Sequence, residues 1–139
     1  MDPLSITASI ITLLGTAEVA SKSLKRITSL KGAPALVFAL NNEVSELRLT
    51  LKEIEVILSY KANSTPIKKY LDSGAHPIIA SARSKLLALE ELIHMRLTRP
   101  DGTLDKVAWL RVEAKVSRLQ KDLRHISQKL ATVLGIMTS

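Results

Sequence analysis

VFALNNEVSELRLTLKEIEVIL, residues 37–58, sets Val37, Leu40, Val44, Leu47, Leu51, Ile54 and Leu58 at alternating intervals of three and four. That spacing brings an apolar side chain back to one helix face with each turn, whereas a half-buried strand would alternate residue by residue. Glu43, Glu46, Arg48, Lys52 and Glu55 fall between the apolar positions and are available to solvent. The stretch predicts a long amphipathic helix, and a helix of this kind gains most of its stability by packing that face against other helices.

Three further segments carry similar patterns. Upstream, Asp2 and Pro3 make a helix start, since a carboxylate can cap free amides and proline is tolerated in the first turn. This first helix is expected to reach about Leu30, with Leu4, Ile10, Ile11, Leu14, Ala17, Leu24 and Ile27 as core positions and Lys31-Gly32 as its end. Ala33 and Pro34 open the second helix. Downstream, Asn63, Ser64, Thr65 and Pro66 break the pattern, so 61–74 reads as a connector with room for one short extra helix near 66–72. Pro77 can begin a third helix with Ile79, Ala82, Leu86, Leu89 and Ile93 on its inner face, stopped by the turn Arg99-Pro100-Asp101-Gly102. A fourth is expected from about Leu104 to Gly135, on the stripe Val112, Val116, Leu119, Leu123, Ile126, Leu130 and Val133. Four such stripes can share one interior, and the expected fold is an all-α, antiparallel up-down-up-down four-helix bundle. Two stripes keep a heptad-like period, which also permits a coiled-coil pairing.

Composition agrees. The chain has 139 residues, enough for one domain over 1–139. Hydrophobic residues are 46% and aromatics only 3%, so Leu, Ile, Val and Ala must supply the interior, which favours interdigitated helices over a strand-rich core. No cysteine is present, so disulfides, thiolate metal sites and a cysteine nucleophile are excluded, and a reducing compartment is permitted.

Catalysis is not expected. Glycines stand singly at 15, 32, 74, 102 and 135, with no phosphate-cradling loop. His76, His94 and His125 lie in separate segments without a metal-ligand spacing and read as surface or helix-end residues. Asp101, Thr103 and Asp105 begin like a calcium loop, but Lys106 and Val112 stand where its glycine and distal glutamate belong, so a helix-capping turn is the better reading. Glu90 and Glu91 point about 100° apart on a helix and read as a solvated face. Neither a cofactor nor a metal is expected.

Charge suggests anionic partners. Twenty Lys and Arg against thirteen Asp and Glu give +7. On the fourth helix Arg111, Lys115, Arg118, Lys121 and Lys129 form a basic flank, partly interrupted by Asp122, and Lys22, Lys25 and Arg26 gather at the end of the first. Such clusters bind anionic lipid surfaces, at about 1 kcal/mol per basic residue. Nucleic acid is a weaker candidate, because Phe38, Tyr60, Tyr70 and Trp109 are too scattered to stack successive bases. Trp109 reads as a core or rim anchor.

The first seventeen residues stand apart. MDPLSITASIITLLGTA carries no charge between Asp2 and Glu18. A start on Asp2 lacks the basic opening of a secretory signal. As a helix, Pro3 to Ala17 spans about 22 Å, short of the roughly 30 Å hydrocarbon core, so it is no constitutive span and is open to interfacial insertion or to spanning after oligomerisation with local thinning.

MDPLSITASIITLLGTAEVASKSLKRI (1–27), with LNNEVSELRLTLKEIEVIL (40–58) and WLRVEAKVSRLQKDLRHISQKL (109–130), resembles the N-terminal domain of fungal STAND proteins, the NLR-like immune receptors, in its HeLo-like class. The likeness spans essentially the whole chain and is most specific over Met1 to Ile11, where Asp2, Pro3, Leu4 and Ser5 head an apolar helix. It implies a non-enzymatic signalling module in programmed cell death and innate immunity, placed before nucleotide-binding and repeat domains that are its partners within the same receptor. It also implies a cytoplasmic resting domain that forms a homo-oligomer on activation and moves to the plasma membrane or another membrane, which it associates with or permeabilises through its apolar N-terminal helix. Leu4, Ile6, Ile10, Ile11, Leu13 and Leu14 are then the membrane-insertion candidates, sheltered at rest; Lys22, Lys25, Arg26, Arg111, Lys115, Arg118, Lys121 and Lys129 are the anionic-lipid candidates. One departure is notable: membrane helices of related executioners are often glycine-rich, and here Gly15 is alone among Ala8, Thr12, Thr16 and Ala20. The alternative expectation is a protein-interaction domain that recruits a partner or holds its receptor inactive.

Overall fold

The computed structural model describes residues 3–30, 32–61, 74–97 and 99–138. It is an all-α bundle of four long helices: α1 (Pro3–Thr28), α2 (Ala35–Lys61), α3 (His76–Leu92, continued by a π-helical turn, Ile93–Leu97) and α4 (Lys106–Thr138). The short extra helix expected near 66–72 lies outside the described residues.

The core follows a seven-residue repeat on three helices. Ile6, Ile10, Leu13, Ala17, Ala20, Leu24 and Ile27 line it from α1, Val37, Leu40, Val44, Leu47, Leu51, Ile54 and Leu58 from α2. From α4 it takes Trp109, Val112, Val116, Leu119, Leu123, Ile126, Leu130, Val133 and Met137. Alternating steps of three and four keep each seam facing its neighbours. On α3 and its π turn, Ile79, Ala82, Leu86, Leu89, Ile93 and Leu97 do the same, with one longer final step.

The α1 register differs from expectation. Ile11, read as core, is 55% exposed, and Leu14 is only partly buried, while Ile6, Leu13 and Ala20 are fully enclosed. With apolar residues on every side of the uncharged stretch, nothing local pins the face. The repeat carried back from Ile27, Leu24 and Ala20 selects Leu13 over Leu14 and Ile10 over Ile11.

Helix ends also shift. The last amides of α1 turn to tighter bonding, with Leu30 N donating to Ile27 O, so the α-helix stops at Thr28. Gly32 then takes φ +78°, a left-handed value that glycine adopts without strain. α4 starts two residues after Leu104 because Asp105 is its cap: the Asp105 carboxylate accepts from Ala108 N at 3.0 Å, and Asp105 N donates to Leu97 O. Its other end runs past Gly135 to Thr138, since Met137 extends the buried repeat and is only 1% exposed. Packing of that last turn outweighs the glycine.

The turn before α4 is closed by Arg99 N to Thr103 O and Gly102 N to Arg99 O, with Gly102 at φ +84°. Thr103 donates its hydroxyl and then its backbone N–H to Asp101, which with the nearby Arg99 holds the Asp101 carboxyl below its ordinary pKa.

Chain direction follows from three contacts. Ser23, late in α1, meets Glu90 and His94, late in α3, so these two helices are parallel. Asp105 begins α4 beside Leu97, so α4 runs back along α3, and the short 29–34 connection turns α2 back along α1. The order is therefore up-down-up-down. Around the bundle, α1 packs on α2 and α3, and α4 packs on α2 and α3. Among the described residues neither α1 with α4 nor α2 with α3 shares an extended contact, so these pairs sit on the diagonals.

Candidate functional site

The outer face of α1 changes character along its length. In its N-terminal half Ala8, Ile11, Thr12 and Gly15 are exposed and uncharged, followed by Val19 at 53% exposure. In its C-terminal half Lys22, Lys25 and Arg26 are exposed. Glu18 lies between and reaches Lys22 at 3.8 Å, a loose pair between two solvated groups that contributes little. Of the insertion candidates, Ile6, Ile10 and Leu13 are enclosed in the core and Leu14 is partly buried; Ile11 is on the surface, and the Leu4 side chain lies outside the described residues. Ile11 is not sheltered, contrary to expectation, and is already available in the closed bundle.

All the basic candidates are exposed, yet they do not form one surface. Lys22, Lys25 and Arg26 are on α1; Arg111, Lys115, Arg118, Lys121 and Lys129 are on α4, across the diagonal. Sequence patterning groups them by charge, and the order of helices around the bundle separates them. Lys115 and Arg118 line the α3–α4 groove with Lys85, Glu91, Leu119 and Asp122, where Lys85 and Asp122 pair at 3.2 Å. At 100° per residue, Arg111, Arg118, Lys121 and Lys129 span about 80° of α4, from its outermost line at Lys121 round toward the α3 groove, with Asp122 about 20° beyond Arg111.

A polar cluster joins α1 to α3. Ser23, 2% exposed, donates its hydroxyl to Glu90 Oε1 at 2.8 Å; His94 Nε2 contacts the same carboxylate oxygen and lies 3.0 Å from Ser23 Oγ. Arg26 donates a longer bond to Ser23 Oγ at 3.4 Å. Glu90 is thus not the solvated residue expected: its side chain is 19% exposed, and Oε2 is buried with no partner among the described residues. Ser, His and Glu have the composition of a nucleophilic relay but not its connectivity. Ser23 gives its proton to Glu90, and both partners address the same histidine nitrogen, whereas a relay needs the serine on one ring nitrogen and the carboxylate on the other. The π turn that carries His94 brings its ring back over Glu90. No periodicity rule marks this cluster, because its partners are 67 and 71 residues apart.

On the opposite diagonal, α2 exposes Phe38, Leu49, Val56 and Tyr60, the last at 84%. Glu43 leaves this face: it accepts from Arg124 Nε at 2.9 Å and from Gln120 at 3.2 Å, joining α2 to α4. Among the described residues no cluster of His, Asp or Glu is placed to hold a metal ion, and no helix is long and apolar enough to cross a membrane. No protein-family model, curated protein or solved structure matches this chain.

Proposed function

We propose that this chain is a cell-death or innate-immune signalling module that works by self-association and contact with anionic membranes, placed in a larger receptor whose nucleotide-binding and repeat domains control it. The observation that carries the membrane half is the outer face of α1, where the exposed uncharged positions Ala8, Ile11, Thr12 and Gly15, and Val19 beyond Glu18, run into Lys22, Lys25 and Arg26. A helix laid in a headgroup layer needs those two parts together: apolar side chains for the acyl boundary and cations for the phosphates. The basic row of α4, on the far diagonal, cannot rest on the same flat bilayer while the bundle stays closed. Membrane association in the resting cell is weak, and clustering multiplies it.

Lys22→Glu/Lys25→Glu tests the proposal without disturbing Ser23. Removing two cations costs about 2 kcal/mol, or about thirtyfold in affinity for anionic vesicles, and reversal adds repulsion. Ile11→Ser is expected to weaken vesicle binding as well, with an unchanged helical spectrum. Equal cosedimentation of all variants with anionic vesicles, or equal binding of the parent chain to neutral vesicles, would reject α1 as the membrane face. The exposed apolar line on α2 favours an additional protein-interaction role.

A further inference from the structure

We infer that the outer face of α2 is a docking surface for α4 of a second copy of this chain. The inference rests on the reading that the domain self-associates, and it names the two faces that meet. At about 100° per residue, Phe38, Leu49 and Val56 fall within roughly 20° of one another, with Tyr60 beside them; these exposed apolar side chains have no partner among the described residues and share their arc with Asn42 and Ser45, with Lys52 at its edge. Glu46 and Glu53 are exposed along it, seven residues apart, and neither pairs with a cation among the described residues. On α4, Arg111 and Arg118 are also exposed, seven residues apart and without an ion pair among the described residues, and Leu110, about 80–100° round the helix from them, is 70% exposed.

The two rows are complementary in charge and spacing. Laid antiparallel, Glu46 meets Arg118 and Glu53 meets Arg111; the same register sets Leu49 level with Lys115, next to Ala114, and Val56 level with Ala108, next to Val107. Pairing α2 with α2 would oppose Glu46 to Glu53, and pairing α4 with α4 would oppose its cations, so like-with-like contacts are disfavoured. Because each copy offers one face of each kind on different sides of the bundle, the contact is heterologous: it repeats from copy to copy, growing to a ring or a filament. Exposed charge pairs are individually weak and salt-screened, so association is modest for the isolated chain and strengthens where a receptor concentrates it.

Sedimentation velocity of the full 139-residue chain at low and high salt tests this directly. The parent chain is expected to associate at low salt and dissociate as salt rises. Glu46→Lys/Glu53→Lys and Arg111→Glu/Arg118→Glu are each expected to weaken association about tenfold or more with unchanged helicity. Mixing the two variants, or combining all four changes in one chain, restores association, since each reversed face again meets its complement. A parent chain that stays monomeric at low salt overturns the inference. So does association that survives either reversal, or that mixing fails to restore. Neither reversal touches Lys22, Lys25 or Ile11, so failure here leaves α1 binding to vesicles intact, and failure of the membrane proposal leaves these association results unchanged.

Discussion

Leu13 and Leu14 are chemically identical neighbours with opposite fates, one fully enclosed and one partly buried. Truncating Leu13 to alanine is expected to cost about 2–5 kcal/mol, since it removes the side chain beyond Cβ from a site that cannot collapse freely. Ile11→Ala, at a position 55% exposed, should stay within about 0.5 kcal/mol. Urea unfolding of the two variants checks the register; equal costs would place the α1 core face elsewhere. Glycines divide by backbone in the same way. Gly135 is helical with nothing within 4 Å of an added Cβ, so Gly135→Ala should stabilise by about 0.4–1 kcal/mol. Gly102 has the same open space but φ +84°, so Gly102→Ala should destabilise by about 1–2 kcal/mol. Thermal melts that move in one direction for both would contradict the assigned backbone.

Between elements, the Ser23–Glu90–His94 cluster is the polar tie that fixes α1 against α3. Ser23→Ala withdraws a donor from a carboxylate that already holds one unpartnered oxygen, and is expected to cost about 1–3 kcal/mol. In a Glu90→Leu background the same change should cost far less, because the charge that needed the hydroxyl is gone. A double-mutant cycle by chemical denaturation measures the difference; a coupling near zero would mean that α1 and α3 are held by apolar packing alone. Helix existence and type were legible from sequence wherever charges framed the apolar stripe, as on α2 and α4. They were legible on α1 too, but its face was not, because fifteen uncharged residues leave the register to packing.

For the whole molecule, magnitudes decide when α1 can leave the bundle. Extracting it uncovers Ile6, Ile10, Leu13, Leu24 and Ile27; at about 1.5–3 kcal/mol each this is roughly 8–15 kcal/mol, comparable to the entire stability of a small domain. On the proposed membrane reading, a single copy on a bilayer is therefore expected to keep α1 docked and use its outer face, with release requiring the gain from clustering. Hydrogen exchange should show the amides around Ile10 and Leu13 still protected when the chain binds anionic vesicles, and deprotected only when it is clustered there. Loss of protection in the unclustered, vesicle-bound chain would mean that lipid alone opens the bundle.

By itself, the sequence determined four amphipathic helices, their common interior, the all-α class and the positions of most core residues, because a three-four apolar repeat has one economical burial. Only the tertiary structure decided which helices are neighbours. Near-identical heptad stripes are interchangeable as hydrophobic surfaces, so any order around the bundle buries them equally well. The choice is registered in polar contacts between residues 67 to 81 positions apart, Ser23 with Glu90 and Glu43 with Arg124, which no local pattern foretells. That order sets the two basic clusters on opposite corners and leaves the exposed apolar side chains of α2 without a partner among the described residues.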